Sequence, residues 1–305
     1  MKKIKKALKG QKVSLIFVNS KNIKKINKCI EQADALINIP RSIFDKKLLR
    51  KARKLKWIHI GGAGIETFLF EEFVKSRVLF TNGKIIQGPS VSDHAVAILL
   101  AFTRNLNGQI KNLKYEKMNR PIELKGKVCG VFGVGGIGQL VSEKLNSFGM
   151  KIIGFNDDLV PISHIYSDIF LYDKLIKKAG DLDVLICCAP LTKKTENFFD
   201  EKIFSKMKKD SIFINVSRGG LVKTNCFKNK KISSKFRGIG LDVTDPEPLP
   251  KNNFLRKMNN VLLTDHTAGP SDKNRERSLD LMLENLRRFL KNLNLLNIVD
   301  KKKGY

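Results

Sequence analysis

Apolar positions along this chain recur in short strand-like runs separated by stretches of helical spacing. Residues 12–19 are an apolar run that predicts a first β-strand, and residues 22–31 predict a helix with Ile23, Ile26 and Ile30 on one face. Residues 35–39 read as the next strand, closed by Pro40, and residues 43–54 as a helix through Phe44, Leu48, Leu49 and Ala52. A strand over 57–60 runs into Gly61-Gly62-Ala63-Gly64, followed by a helix over 66–76 and a short strand over 78–81. Four β/α units would then be complete by residue 82. A long helix over 91–105 leads to a polar stretch ending at Pro121, and a second strand–helix series runs from Lys127 to Leu263. The last helix is expected from Ser271, as its N-cap with Asp272 in the first turn, to about residue 293. Alternation of strand and helix argues for parallel sheets.

The length of 305 residues fits two domains at roughly 150 residues each. No apolar run approaches the ~20 residues that span a bilayer. Lysines precede the apolar run at Val13–Val18, but that run is shorter than the ~7–15 residues of a signal core, so export is not expected and the cytoplasm is. The five cysteines show no paired metal spacing; they read as reduced thiols, and no metal site is expected. The net charge of +29 is concentrated at the front, where residues 1–56 hold 18 Lys and Arg against 3 Asp and Glu. Such a stripe could serve nucleic acid. No aromatic residues interleave with the lysines of 2–9, 21–28 and 46–56, so they read as solvated faces, and neither nucleic acid nor membrane is expected as a partner.

Val128-Cys129-Gly130-Val131-Phe132 is a buried-strand run followed by Gly133-Val134-Gly135-Gly136-Ile137-Gly138 and a helix through Leu140, Val141, Leu145 and Phe148. This is G-x-G-x-x-G in its strand–turn–helix context, which cradles a dinucleotide pyrophosphate on a helix N-terminus. The next strand, 151–155, ends at Asn156-Asp157-Asp158, and no Arg or Lys follows in sequence until Lys174. Acids here accept from the adenosine ribose and repel a 2′-phosphate, so NAD is expected ahead of NADP.

Three later strand ends deliver polar groups: Ile214-Asn215-Val216-Ser217-Arg218-Gly219-Gly220, then Gly240-Leu241-Asp242-Val243-Thr244-Asp245-Pro246-Glu247-Pro248-Leu249-Pro250, then Leu263-Thr264-Asp265-His266-Thr267-Ala268-Gly269. From about Trp57 to Gly269 the chain resembles the D-isomer-specific 2-hydroxyacid dehydrogenase family, among which glyoxylate/hydroxypyruvate reductases and phosphoglycerate dehydrogenases are its nearest kind. The resemblance rests on the glycine fingerprint, Asn-x-x-Arg-Gly, Gly-x-x-Leu-Asp-Val with Glu-Pro-Leu-Pro, and His-x-Ala-Gly in family order. Thr81-Asn82 through Ser92-Asp93-His94 resembles the family's interdomain stretch.

The resemblance implies two Rossmann-like parallel-sheet domains, one flavodoxin-like and one dinucleotide-binding, with a cleft between them. Residues 1–93 completed by 270–305 would bind substrate, and residues 94–269 would bind NAD. It implies an NAD-dependent D-2-hydroxyacid dehydrogenase that moves a hydride to or from C2 of a small 2-hydroxy or 2-oxo acid, working as a homodimer; the acid Asp265 next to His266 points to 2-oxo acid reduction as the working direction. His266 matches the acid–base residue, Glu247 the carboxylate that orients it, and Arg218 the guanidinium that grips the substrate carboxylate. Ala63 and Gly64 match a second carboxylate contact, beside Arg218 and His266. Gly133, Gly135, Gly136, Ile137, Gly138, Asn156, Asp157, Ala189, Pro190, Thr195, Val216, Ser217, Arg218, Asp242 and His266 match the cofactor's surroundings.

The chain departs from the family at Asp265, where Pro is usual, at Cys187-Cys188, where a histidine is common, and at Gln87, where reductases often have His. Two other readings compete. A non-enzymatic NAD-sensing protein on the same fold would need a partner motif, which the sequence lacks. A formate dehydrogenase relative would lack the Glu–His pair, so Glu247 argues against it.

Overall fold

The computed structural model describes residues 4, 8, 10–19, 21–114, 119–159 and 163–305. The chain divides into two units, one formed by 1–86 with 272–305, the other by 87–271.

The first unit holds a three-stranded parallel sheet of β1 (Ala35–Ile37), β2 (Trp57–His59) and β3 (Leu79–Thr81) in the order β1-β2-β3. Residues 12–19, expected as a strand, form none. Val13 and Leu15 lie against the cluster of Trp57, Leu286 and Leu295, while Ile16 is 57% and Phe17 41% exposed. Alternate side chains thus find apolar neighbours, but no ladder with β1 forms, and the segment stays extended beside the sheet. β2 is paired on both edges and its side chains are wholly buried, Trp57 against Leu286 and Leu295 and Ile58 in the core of Phe44, Phe73 and Phe80.

The C-terminal segment completes this unit. Helix Asn274–Leu290 stacks Phe289 on Trp57 at 5.2 Å between ring centres, and Val299 N–H donates to Phe80 O at 2.8 Å. The helix starts three residues later than its apolar spacing suggested. Asp272-Lys273 forms a turn first, and Lys273 occupies the N-cap without a side-chain bond. Lysines described between 21 and 56 are exposed, as a solvated charge requires.

The second unit holds seven parallel strands: β4 (Val128–Phe132), β5 (Lys151–Asn156), β6 (Tyr166–Leu171), β7 (Val184–Cys187), β8 (Ser211–Asn215), β9 (Phe236–Leu241) and β10 (Val261–Leu263). Their order is β10-β9-β8-β7-β4-β5-β6. β4, β7 and β8 are almost entirely buried, which explains their unbroken apolar runs. The order reverses between β4 and β7, and doubly wound sheets bind ligands beyond the strand ends at such a point. Helix Gly88–Thr103 belongs whole to this unit and begins before its apolar face does, because Pro89 is accommodated in its first turn. Among the described residues, no helix is long and apolar enough to cross a membrane.

Candidate active site

The loop after β4 is shaped by its glycines. Gly133 has φ +93°, and a Cβ there would lie 2.6 Å from the Ala189 backbone, which follows β7. A Cβ on Gly138 would lie 2.0 Å from Gly133 O, so the helix Gly136–Ser147 can approach the loop only without one. Around Gly135 nothing lies within 4 Å of such a Cβ. The helix behind it has no side-chain cap, leaving the first-turn N–H groups of Gly136, Ile137 and Gly138 for an anion. Tight turn, close packing and open approach fall at three different glycines, and a dinucleotide pyrophosphate fits there. Asn156 braces the loop from β5: its Oδ1 accepts from Val134 N–H at 3.4 Å, and its Nδ2 donates to Asp158 O at 2.9 Å.

The turn after β7 is locked by Thr195, whose Oγ1 donates to Pro190 O at 2.6 Å and accepts from Thr192 N–H at 2.8 Å. The same turn carries Lys194 to Asp157, with Nζ 2.7 Å from Oδ1. The chain order concealed this cation, because it arrives from the far side of β4. Cys187 lies beneath, its Sγ 3.2 Å from Ser217 Oγ; burial pushes its thiol up to about 12, so it stays an unreactive SH group.

Beyond β8, the buried Asn215 acts as a latch. Its Oδ1 accepts from Ser217 N–H at 3.0 Å and Ser217 Oγ at 2.8 Å, while its Nδ2 donates to Arg218 O at 2.8 Å. Val216 and Ser217 are buried and Arg218 half-buried, its Nη1 donating to Ser217 O at 2.7 Å. Gly219 then lies so close to the loop after β9 that a Cβ would meet Thr244 O at 2.0 Å.

Asp242 ends β9 and is 1% exposed. Its carboxylate accepts from Thr264 Oγ1 at 2.6 Å, Thr267 N–H at 2.9 Å and Ala268 N–H at 3.2 Å, and its backbone O accepts from His266 N–H at 2.8 Å. Burial pushes this carboxyl up, but those bonds together with one from His94 more than reverse the effect and hold it below the usual carboxylate range. His94, from helix Gly88–Thr103, has Nε2 2.9 Å from Thr264 Oγ1 and 3.3 Å from Asp242 Oδ1. The Thr264 proton is committed to Asp242, so His94 Nε2 carries the proton in this pair. Sequence reasoning quoted His94 within a family-like stretch but gave it no role; nothing along the chain linked it to Asp242.

This clamp holds His266 in a left-handed conformation, φ +53°, which is costly for a residue with a Cβ. His266 Nδ1 lies 2.5 Å from Glu247 Oε1, and both side chains are substantially exposed, 47% and 40%. Asp265 is exposed. Of the expected catalytic set, Glu247 and His266 meet directly, while the Arg218 loop lies against the loop that carries Glu247.

In the first unit, the turn after β2 is braced on several sides. Gly61 N–H donates to Asn38 Oδ1 at 2.7 Å, Asn82 Nδ2 to Ala63 O at 2.8 Å, and Gly83 N–H to Gly62 O at 2.8 Å. The backbone of Ala63 and Gly64 is therefore held in a fixed turn. Among the described residues, no three His, Cys, Asp or Glu gather as metal ligands do.

A doubly wound sheet with a glycine loop at its reversal and a histidine–carboxylate pair at nearby strand ends defines a dinucleotide-dependent oxidoreductase. The comparisons give the family. The model described as "D-isomer specific 2-hydroxyacid dehydrogenase, NAD binding domain" matches residues 96–268, and the chain belongs to this family of NAD(P)-dependent oxidoreductases. It is 32% identical over 285 residues to a glyoxylate reductase of Thermococcus litoralis, covering 89% of this chain and 85% of that protein. It is 29% identical over 286 residues to a D-3-phosphoglycerate dehydrogenase of Methanocaldococcus jannaschii, covering 90% of this chain but only 54% of that protein. The chain thus spans about half the length of that relative. In fold it is similar to a probable 2-hydroxyacid dehydrogenase of Rhizobium etli, solved in complex with NADP: TM-score 0.83, 23% identity, 99% of this chain and 95% of that one.

Proposed function

We propose that this protein is a reductase of small 2-oxo acids, glyoxylate foremost, that uses NADH and yields the 2-hydroxy acid, of D configuration wherever C2 is a stereocentre. The single observation that carries the reading is the 2.5 Å bond between His266 Nδ1 and Glu247 Oε1 at the ends of strands that also bear Arg218. With Nδ1 engaged, His266 exchanges its proton through Nε2, giving it to the carbonyl oxygen at C2 during reduction. Glu247 fixes the ring's orientation through that bond. Arg218 grips the substrate carboxylate with its planar fork and polarises the neighbouring carbonyl. The braced turn at Ala63 and Gly64 in the first unit offers backbone N–H groups that suit a carboxylate. When bound, the dihydronicotinamide supplies the hydride for C2. Gly133 to Gly138 hold the pyrophosphate, Asn156 and Asp157 border the adenosine ribose, and Ala189, Pro190, Thr195, Val216, Ser217 and Asp242 line the path towards the nicotinamide.

In this reading the first unit serves substrate and the second serves the dinucleotide, and the enzyme works as a homodimer in the cytoplasm. Glyoxylate is placed first because the chain is 32% identical over 285 residues to the glyoxylate reductase, against 29% over 286 to the phosphoglycerate dehydrogenase. The test is NADH oxidation, followed by absorbance, across glyoxylate, hydroxypyruvate, pyruvate and phosphohydroxypyruvate. Glyoxylate or hydroxypyruvate is expected to give the highest kcat/KM; turnover of none of the four would end the reading.

A further inference from the structure

The turn after β7 brings a lysine to the adenosine end of the dinucleotide site. Lys194 Nζ lies 2.7 Å from Asp157 Oδ1, with the lysine side chain 71% and the aspartate 22% exposed. Asp157 directly follows Asn156, whose side chain is spent on Val134 N–H and Asp158 O. Asp157 is therefore the carboxylate next to the glycine loop, where an acid accepts from ribose hydroxyls and repels a 2′-phosphate. An ammonium on that carboxylate cancels the repulsion at short range and offers a phosphate three donors on a flexible stem. The lysine side chain is largely exposed, so it can turn from the carboxylate towards a group of higher charge. Lys193 adds a second positive charge to the same turn.

We infer that Lys194 is a cofactor-specificity residue whose pairing with Asp157 opens the site to the 2′-phosphorylated dinucleotide NADP(H) as well as to NAD(H). The inference rests on residues 133–138 being a dinucleotide loop. In the NADH complex, Asp157 takes the ribose hydroxyls with Lys194 still beside it. In the NADPH complex, Lys194 turns to the 2′-phosphate, and Asp158 remains as the counterweight that keeps the site from preferring the phosphate strongly.

The test is calorimetric titration of the full chain with NADH and with NADPH, without substrate. The native chain is expected to bind both. Lys194→Met should raise the ratio of the NADPH to the NADH Kd about tenfold or more, and Lys194→Arg should keep that ratio within about threefold of native, because charge is what the phosphate needs. Asp157→Asn should move the ratio the other way. Each variant reports on two ligands, so a general loss of folding does not imitate a change in ratio. The NADPH dependence on Lys194 should also weaken in high salt. A Lys194→Met ratio within about twofold of native overturns the inference. A native chain that binds NADH alone overturns it and leaves the dinucleotide loop standing; one that binds neither overturns both.

Discussion

His266 and Arg218 are expected to fail in different ways when replaced. His266 is the proposed proton donor, so His266→Ala should lower kcat by about 10²-fold or more while the NADH Kd, read by fluorescence titration, changes little. A variant with native kcat would remove His266 from the reaction. Arg218→Lys keeps the charge but loses the planar fork, and its cost should fall mainly on KM for the 2-oxo acid. Steady-state kinetics that match the native enzyme in both constants would show that no carboxylate is gripped there. Both residues were legible in the sequence, because each closes a strand-end motif. Their supports were not: the Asn215 latch, the His94–Thr264–Asp242 cluster and Lys194 join residues far apart in the chain, and only the crossing of strands brings them together.

At the scale of elements, the glycine loop is the most constrained segment. Gly133→Ala would place a Cβ 2.6 Å from the Ala189 backbone at φ +93°. Neither obstacle is a flexible side chain, so the loop itself must move. Stability should fall by about 1–3 kcal/mol, and dinucleotide affinity at least tenfold. Native NADH affinity in calorimetry would show that the loop holds no pyrophosphate. Strands β4, β5, β8, β9 and β10 were readable because buried parallel strands are near-continuous apolar runs, whereas β6 mixes exposed polar positions into its run and was not read. Residues 12–19 were misread for the same reason. Their run is as apolar as a strand, but ladder formation depends on an available partner, which composition does not encode. The C-terminal helix was placed well by its spacing and poorly at its start, where a turn at Asp272-Lys273 outweighed the capping preference of Ser271.

For the whole molecule, acid sensitivity should centre on the first unit. His59 is fully buried on β2, where Nδ1 meets Thr81 Oγ1 at 2.8 Å and Nε2 has no hydrogen-bond partner among the described residues. Burial pushes it down to about 4. An unfolded chain takes up this proton near pH 6.5 while the folded chain refuses it, so stability present above that pH is lost as pH falls towards 4. The loss should be on the order of 2–3 kcal/mol at its limit. Carboxylates held low, such as Asp242 and Glu284, lose their contribution only at lower pH. Thermal unfolding at about pH 7.5 and pH 4.5 should therefore show a drop that His59→Asn flattens. An equal drop in that variant would place the acid-sensitive group elsewhere.

In the proposed reaction a hydride passes from a dihydronicotinamide to C2 of a 2-oxo acid while His266 protonates the oxygen. Its most direct test is reduction of hydroxypyruvate with NADH deuterated at C4 of the nicotinamide, followed by NMR of the product. The expected product is D-glycerate carrying the nicotinamide's deuterium at C2, formed by the native chain and far more slowly by His266→Ala. Product without deuterium at C2, of L configuration, or formed equally fast by the variant would contradict it.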